Sequence, residues 1–372
     1  MKSKSVTVPI LIILAGIVVL SCRQVDRKPL SYLYTAEYHT HTGIKLLKQG
    51  KYGDAAREFQ YARALQPEYS LAHSGLSLVR AYSGDFQSAH ELMVYALNSA
   101  KTTEETVFAR ICAMRIFSMW RRDNNWLEEV KGHFQRAIEL DRHSPAALYF
   151  MGVAYKLGLE FDNSGRMFAR VLDRNAEYVN EADREWKLIR NVMKVKPVTM
   201  AGKRIAIKES ITRADAAALF VNELKIDKIY DRAGITSIGR PSVRVSDIDD
   251  SPVKSDIEDI VMAGVERLEP YPDGSFRPDD LVTRSVFAVM IEDILKKTAG
   301  EKRESREDED GVSPFPDLKA DHPSFSAVMT VTERGIMRAK NLTTGEFSPH
   351  NPLSGVEALL IIRRLKENVM YY

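Results

Sequence analysis

Between residues 179 and 193 the apolar positions step by three and four. Val179, Ala182, Trp186, Ile189 and Met193 fall on one stripe, with charged and polar residues between them, and predict an amphipathic helix. Two longer registers frame that stripe. In "GIKLLKQGKYGDAAREFQYARALQP" (residues 43–67), small and aromatic residues stand at Gly43, Gly50, Tyr52, Ala55, Phe59 and Ala62. Gly84, Phe86, Ala89 and Ala96 follow Gly50, Tyr52, Ala55 and Ala62 at an interval of 34. Phe134 and Ala137 pair with Phe168 and Val171 at the same interval, and Gly152 and Tyr155 fall on the first helix of that fourth unit. Ala96 to Ala137 is 41, seven more than 34, which is close to two helical turns and predicts a lengthened first helix over 105–123.

Farther on, the interval is 71. Thr212, Thr283 and Ser354 each begin an apolar helix, and Gly264 with Gly335, Gly274 with Gly345, Phe276 with Phe347 and Pro278 with Pro349 keep the same spacing. Trp186, Ile257 and Val328 align in this register, as do Ile189, Ile260 and Val331, so the stripe over 179–193 is the first helix of a first unit. The expectation is an all-α chain in which that helix also caps the preceding repeats. Between the second and third units, "KKTAGEKRESREDEDGVS" has no apolar period and reads as a flexible charged linker over 296–313.

Charge and composition narrow the function. The 372 residues are 44% hydrophobic and 28% charged, with a net charge of +2. Lys2 and Lys4 account for that surplus, leaving 51 basic against 51 acidic groups, and a neutral chain has no electrostatic footprint for nucleic acid. The two lysines precede an apolar run from Val6 to Leu20, too short to span a bilayer and of the length of an export signal. Its ending, Val19-Leu20-Ser21-Cys22, resembles the bacterial lipobox. That resemblance implies a signal peptide over 1–21, lipidation at Cys22 and a tether over 22–34. Arg23 stands where enteric bacteria place the Asp of inner-membrane retention. The expected address is the cell envelope, as a lipid-anchored protein of the outer membrane facing the periplasm, with the choice of membrane left open. Cys112 is then the remaining cysteine, so no internal disulfide forms.

The 34-residue units resemble the tetratricopeptide repeat, Leu46 and Pro67 completing its signature in the first unit. Four such units are expected over 35–178 as a helical-hairpin solenoid, the third offset by the seven-residue insertion. By the family's register the inner face holds Ile44, Leu47, Leu78, Tyr82, Met119, Tyr149 and Leu157. That apolar set implies a protein or peptide partner, an amphipathic helix or an extended segment. The Lys/Asn clamp for C-terminal carboxylates is absent, since the matching places hold Thr40, Ser74, Arg115 and Tyr149.

The 71-residue units resemble the S-layer homology domain. The carriers are Asp247-Ile248, Ala263-Gly264-Val265 and "YPDGSFRPDDLVTR" in the middle unit, with "FPDL" and "GEFSPHNPLSG" in the third. The resemblance implies a prism of three helical units, about 179–228, 244–297 and 314–368, within a domain over 179–372. It also explains a local oddity. Thr212 is a good N-cap and Asp215 can close a capping box, yet Arg213 occupies the first turn, where the helix dipole disfavours a cation. In the family, a Thr-Arg-Ala-Glu motif turns its arginine toward a groove that grips acidic wall polymer. Arg213 and Arg284, with Thr212 and Thr283, match that position, whereas the third unit reads Ser354-Gly355-Val356-Glu357 and lacks the arginine. Lys203, Arg204 and Arg277 are further candidates for charge near the grooves.

Little else points to chemistry. His39 and His41 lie two apart and cannot share a helix face, and the aspartates near 247–250 and 273–279 lack the alternation of a calcium loop, so no metal and no cofactor are expected. No phosphate-binding Gly loop or nucleophile motif supports an enzyme, a wall-processing hydrolase included. The expected function is a non-enzymatic envelope tether or scaffold that binds a protein partner through its repeats and peptidoglycan or another wall polymer through its prism. The alternative is an envelope assembly or secretion factor whose prism is purely structural.

Overall fold

A computed structural model describes residues 34–174, 177–235, 245–299 and 313–370; the signal segment and Cys22 lie outside the described residues. The described chain is all-α, with sixteen α-helices and no strand. Four antiparallel hairpins come first: α1 (Ala36–Lys48) with α2 (Tyr52–Leu65), α3 (Ser70–Tyr82) with α4 (Phe86–Ser99), α5 (Thr103–Trp120) with α6 (Trp126–Leu140), and α7 (Pro145–Leu157) with α8 (Phe161–Leu172). Side-chain caps start them. Thr35, Asp85, Thr102 and Ser144 accept backbone N–H groups of α1, α4, α5 and α7, and Pro145 occupies a first-turn position that needs no donor. α5 has 18 residues against 13 in α1, α3 and α7.

The small positions of the 34-residue register are where helices cross. A methyl group at Gly43 would stand 2.7 Å from the Phe59 ring, and one at Gly75 2.3 Å. One aromatic ring therefore wedges between its own hairpin and the next, fully buried, because both neighbours lack a side chain. Phe168 does the same against Gly152.

α9 (Val179–Val195) belongs to both halves. Its Ala182 and Ile189 pack with Phe168 and Val171 of α8, while Val192 joins the core of the C-terminal region together with residues of α16 (Gly355–Met370). There it is the counterpart of α13 (Lys254–Ala263) and α15 (Phe325–Glu333). After α10 (Met200–Ala206), the second helices of the three units begin 71 residues apart: α11 (Arg213–Ala218), which runs on into a π-helical turn over Leu219–Leu224, α14 (Arg284–Ala299) and α16. A short α12 (Ile226–Arg232) follows the π turn. The charged stretch expected to be all linker is helical at its start, since α14 continues through Ala299 on Lys296–Glu292 and Lys297–Asp293 pairs one turn apart. Its remainder, 300–312, lies outside the described residues.

The three units close on one another through a circle of backbone bonds. Val282 N–H donates to Ile211 O at 3.0 Å, Leu353 N–H to Val282 O at 2.9 Å, and Ile211 N–H to Leu353 O at 2.8 Å. Those three residues are themselves 71 apart, so the repeat in the sequence becomes a threefold ring in the fold. Around the ring lies one apolar core to which all three units contribute, including Phe220, Phe276, Phe287 and Phe347.

Candidate functional site

Arg213 and Arg284 are placed by this ring. Thr212 caps α11 and Asp215 completes the capping box, as the local sequence requires. Thr283 Oγ1 accepts the Val286 N–H at 3.4 Å in the next unit. Both threonine hydroxyls are thereby engaged at helix starts. The guanidinium of Arg213 then extends into the second unit, where Nε donates to Phe276 O at 2.7 Å, Nη2 to Glu269 O at 3.0 Å and Nη1 to Arg267 O. Arg284 repeats the arrangement in the third unit, with Nε on Phe347 O and Nη2 on Arg338 O, both at 2.7 Å, while Nη1 donates to the Glu357 carboxylate. Each guanidinium also lies 4.6 Å over the ring whose carbonyl it binds, Phe276 or Phe347.

These contacts correct the expectation that Arg213 and Arg284 face an open groove. They are 7% and 1% exposed, and every guanidinium nitrogen donates to a carbonyl of the neighbouring unit or to one carboxylate. Burial lowers the pKa of both, that of Arg284 to about 10, which still leaves them charged at neutral pH. A cation is tolerated in the first turn because it is neutralised by loop carbonyls, which are partial negative charges. Those carbonyls sit in loops held by Asp247, which accepts the N–H groups of Phe276 and Arg277 at 2.7 Å each, and by Asp317, which does the same for Phe347 and Ser348 at 2.8 and 2.6 Å. The arginines are struts between units.

The third junction, from the third unit back to the first, is built without a strut. Gly355 stands at the arginine position, and a methyl group there would lie 1.7 Å from Ile205 O. Backbone thus meets backbone directly, and Gly355 N–H donates to Lys208 O at 3.0 Å. Beside this junction a 370 Å³ cleft opens between α9, the π turn and α16, lined among others by Lys196, Lys225, Arg363 and Lys366. Its one carboxylate, Glu223, is consumed by the start of α10, accepting from Thr199 N and Oγ1 at 2.8 and 2.6 Å. Arg363 pairs with Glu367 at 3.2 Å, whereas Lys196, Lys225 and Lys366 form no ion pair with any described residue. A second cleft of 510 Å³, between α9 and the third unit, adds Lys194, Arg338, Lys340 and Arg364 around Glu357.

Sequence reasoning had pointed to Lys203, Arg204 and Arg277 for additional charge. Lys203 lines a different cleft, against Glu160 and Asp162 of the last hairpin, and Arg204 is exposed. Arg277 pairs with Asp273 at 3.1 Å over the Tyr271 ring. The lysines of the 370 Å³ cleft come from separate segments, and no local sequence signal gathers them.

The inner face of the solenoid is narrower than its register suggested. Leu47 and Leu78 are buried core residues, which corrects their assignment to the groove. Ile44, Met119, Tyr149 and Leu157 are half-buried, and Tyr82 is the most open at 38%. Tyr82 stacks on Tyr52 with ring centres 4.4 Å apart and accepts a 2.7 Å bond from Arg115 Nη2. Arg115 in turn lies 4.5 Å over Phe150.

Comparison with known proteins agrees with the prism. The sequence profile of the S-layer homology domain matches residues 249–285 and 314–359, the second and third units. Cell surface glycoprotein 1 of Acetivibrio thermocellus is 27% identical over 162 residues. That stretch is 43% of this chain and 6% of the glycoprotein, so this chain matches a small part of a much longer relative.

Proposed function

We propose that this chain is a non-enzymatic tether of the bacterial cell envelope, anchored by lipid at Cys22 in the outer membrane facing the periplasm. Its prism binds an acidic wall polymer or peptidoglycan, and its solenoid binds a protein or peptide partner. The S-layer homology match and the surface glycoprotein likeness support the envelope address. The observation that supports polymer binding is the cleft between the first and third units, lined by three lysines that form no ion pair with any described residue. Uncompensated cations in a concave site attract polyanions, and the attraction weakens with salt.

The burial of Arg213 and Arg284 favours a second reading, in which the prism is architectural and the chain acts in envelope assembly or secretion. Co-sedimentation of the full chain with purified sacculi separates the two. Wall binding predicts retention that falls at least tenfold in the triple charge reversal Lys196→Glu, Lys225→Glu, Lys366→Glu. Retention equal in the wild type and this variant, or absent from both, leaves the architectural role.

A further inference from the structure

A segment of the chain itself packs against the solenoid's inner face. Tyr178 starts α9 and turns its ring into the groove, stacked on Tyr149 with centres 4.9 Å apart and planes 10° apart, and edge-on to Phe150 at 5.4 Å. Lys48, the last residue of α1, stands 5.7 Å over the same ring and ion-pairs with the adjoining Glu177. Residues 129 apart in sequence thus meet across the inner face, and the two ends of the superhelix touch there. Arg115, over Phe150, brings a second cation to this wall.

Several features set this contact apart from ordinary packing. Tyr178 has φ 67°, a left-handed conformation that a bulky side chain adopts only against steric resistance. It supplies no side-chain cap to α9, so the helix start gains nothing from a tyrosine. Burial, with Glu177 second, drives its hydroxyl pKa up, so the ring stays neutral at physiological pH. Beyond its packing on the hydrophobic cluster of α7, α8 and α9, the ring reaches Tyr149 and Phe150 of α7 and Lys48 of α1.

We propose that Glu177 and Tyr178 are an internal stand-in for the solenoid's ligand, and that the groove recognises a partner segment carrying an acidic residue beside an aromatic one. The proposal rests on the reading of the solenoid as a protein-binding module and specifies its partner. An aromatic slot formed by Tyr149 and Phe150 takes the ring, and Lys48 takes the carboxylate. A purely apolar helix would leave that lysine, and the cation at Arg115, covered without a counter-charge, which selects against it. Tyr178 has to leave for the partner to enter, so the free protein binds weakly and a plug-free protein binds tightly.

The test uses the full chain and a fluorescein-labelled peptide copying residues 174–183, RNAEYVNEAD. Tyr178→Gly removes the plug and places at φ 67° the residue that accepts it without strain; Tyr178→Asn, which also tolerates that conformation, is the second variant. By fluorescence anisotropy, both variants are expected to bind the peptide at least tenfold more tightly than wild type. Adding Lys48→Glu to Tyr178→Gly is expected to abolish that gain. Equal affinity in wild type and both plug-free variants overturns the proposal. A labelled amphipathic apolar helix without acidic residues serves as the comparison probe. If the plug-free variants bind it and not the acidic peptide, the groove remains a peptide site and the acidic-aromatic specificity falls; if they bind neither, both readings fall.

Discussion

The two halves of this molecule use repetition in opposite ways. In the solenoid apolar rings fill helix crossings, Phe59 between Gly43 and Gly75 and Phe168 against Gly152, and successive hairpins stack on one another. In the prism three units close a ring, and polar groups make the closure: three backbone bonds at the axis, two buried arginines and one glycine at the junctions. The treatment of buried polar atoms follows. Thr40 Oγ1, Ser74 Oγ, His73 Nδ1 and Arg110 Nε, all in the solenoid, are buried with no hydrogen-bond partner among the described residues, whereas each nitrogen of the prism's buried guanidiniums is hydrogen-bonded. An open stack can absorb an imperfect site because each interface is judged locally. A ring cannot, because a misfit at one junction shifts the other two.

The largest expected effect tests whether the arginines are struts. Arg284→Ala removes the donor to two carbonyls and the partner of a half-buried carboxylate, Glu357, and should cost about 3–5 kcal/mol, the range for breaking a buried charge pair. Arg213→Ala strands carbonyls alone and should cost less, about 1–3 kcal/mol. Denaturant unfolding followed by circular dichroism measures both. All three tryptophans, Trp120, Trp126 and Trp186, lie in the solenoid or on α9, so their fluorescence reports separately whether damage in the prism crosses the shared helix. If Arg284→Ala loses under 1 kcal/mol and instead loses sacculus binding, the arginines are ligands and the strut account fails.

A pair of glycines sharpens the same contrast. Gly355→Ala forces a methyl group to within 1.7 Å of a backbone carbonyl that no side-chain rotation can move, and should cost at least about 3 kcal/mol. Gly132→Ala, within α6 with no atom within 4 Å of the new methyl, should stabilise by about 0.5–1 kcal/mol through helix propensity. Thermal unfolding of the two single variants checks the signs. Equal and small shifts in both would mean that the third junction is looser than the ring requires.

Much of this architecture was written in the intervals 34 and 71, because an interval constrains every copy of a contact at once. Gly43 and Phe59 announced a crossing, and Thr212, Thr283 and Ser354 announced the three helix starts, each borne by a local requirement that a sequence states directly. The direction of a long side chain is a different matter. Arg213 was legible as an anomaly, yet the carbonyl that neutralises it belongs to Phe276, 63 residues away, and only the closed ring brings it near. Leu47 and Leu78 were misplaced for a related reason: inner-face register does not say how tightly the superhelix winds, and the contact of Lys48 with Glu177 shows that it winds tightly. The junction lysines share no segment and no motif, so nothing local could have gathered them.

A further contrast separates the halves by pH. His133 lies in the solenoid, 8% exposed, stacked on Phe117 and accepting a 3.2 Å bond at Nδ1 from Arg110. Burial first, then the charges of Arg110 and Arg136, lower its pKa to about 4 from the ordinary 6.5. Because the folded value is the lower one, the unfolded chain takes up a proton between the two values that the folded chain refuses. Stability from this site is complete above pH 6.5 and falls as pH drops toward 4. Between pH 7 and 5.5 the loss should be about 1.2 kcal/mol, slightly under one pKa unit of differential protonation. His133→Gln keeps a polar group beside Arg110 and does not titrate, so the acid loss should shrink by that amount in the variant. Tryptophan fluorescence should follow it in the solenoid, while the prism, held by arginines charged throughout this range, should show no change attributable to His133. An identical pH profile in wild type and variant would place the acid sensitivity among the carboxylates instead, and with it the weaker member of the pair.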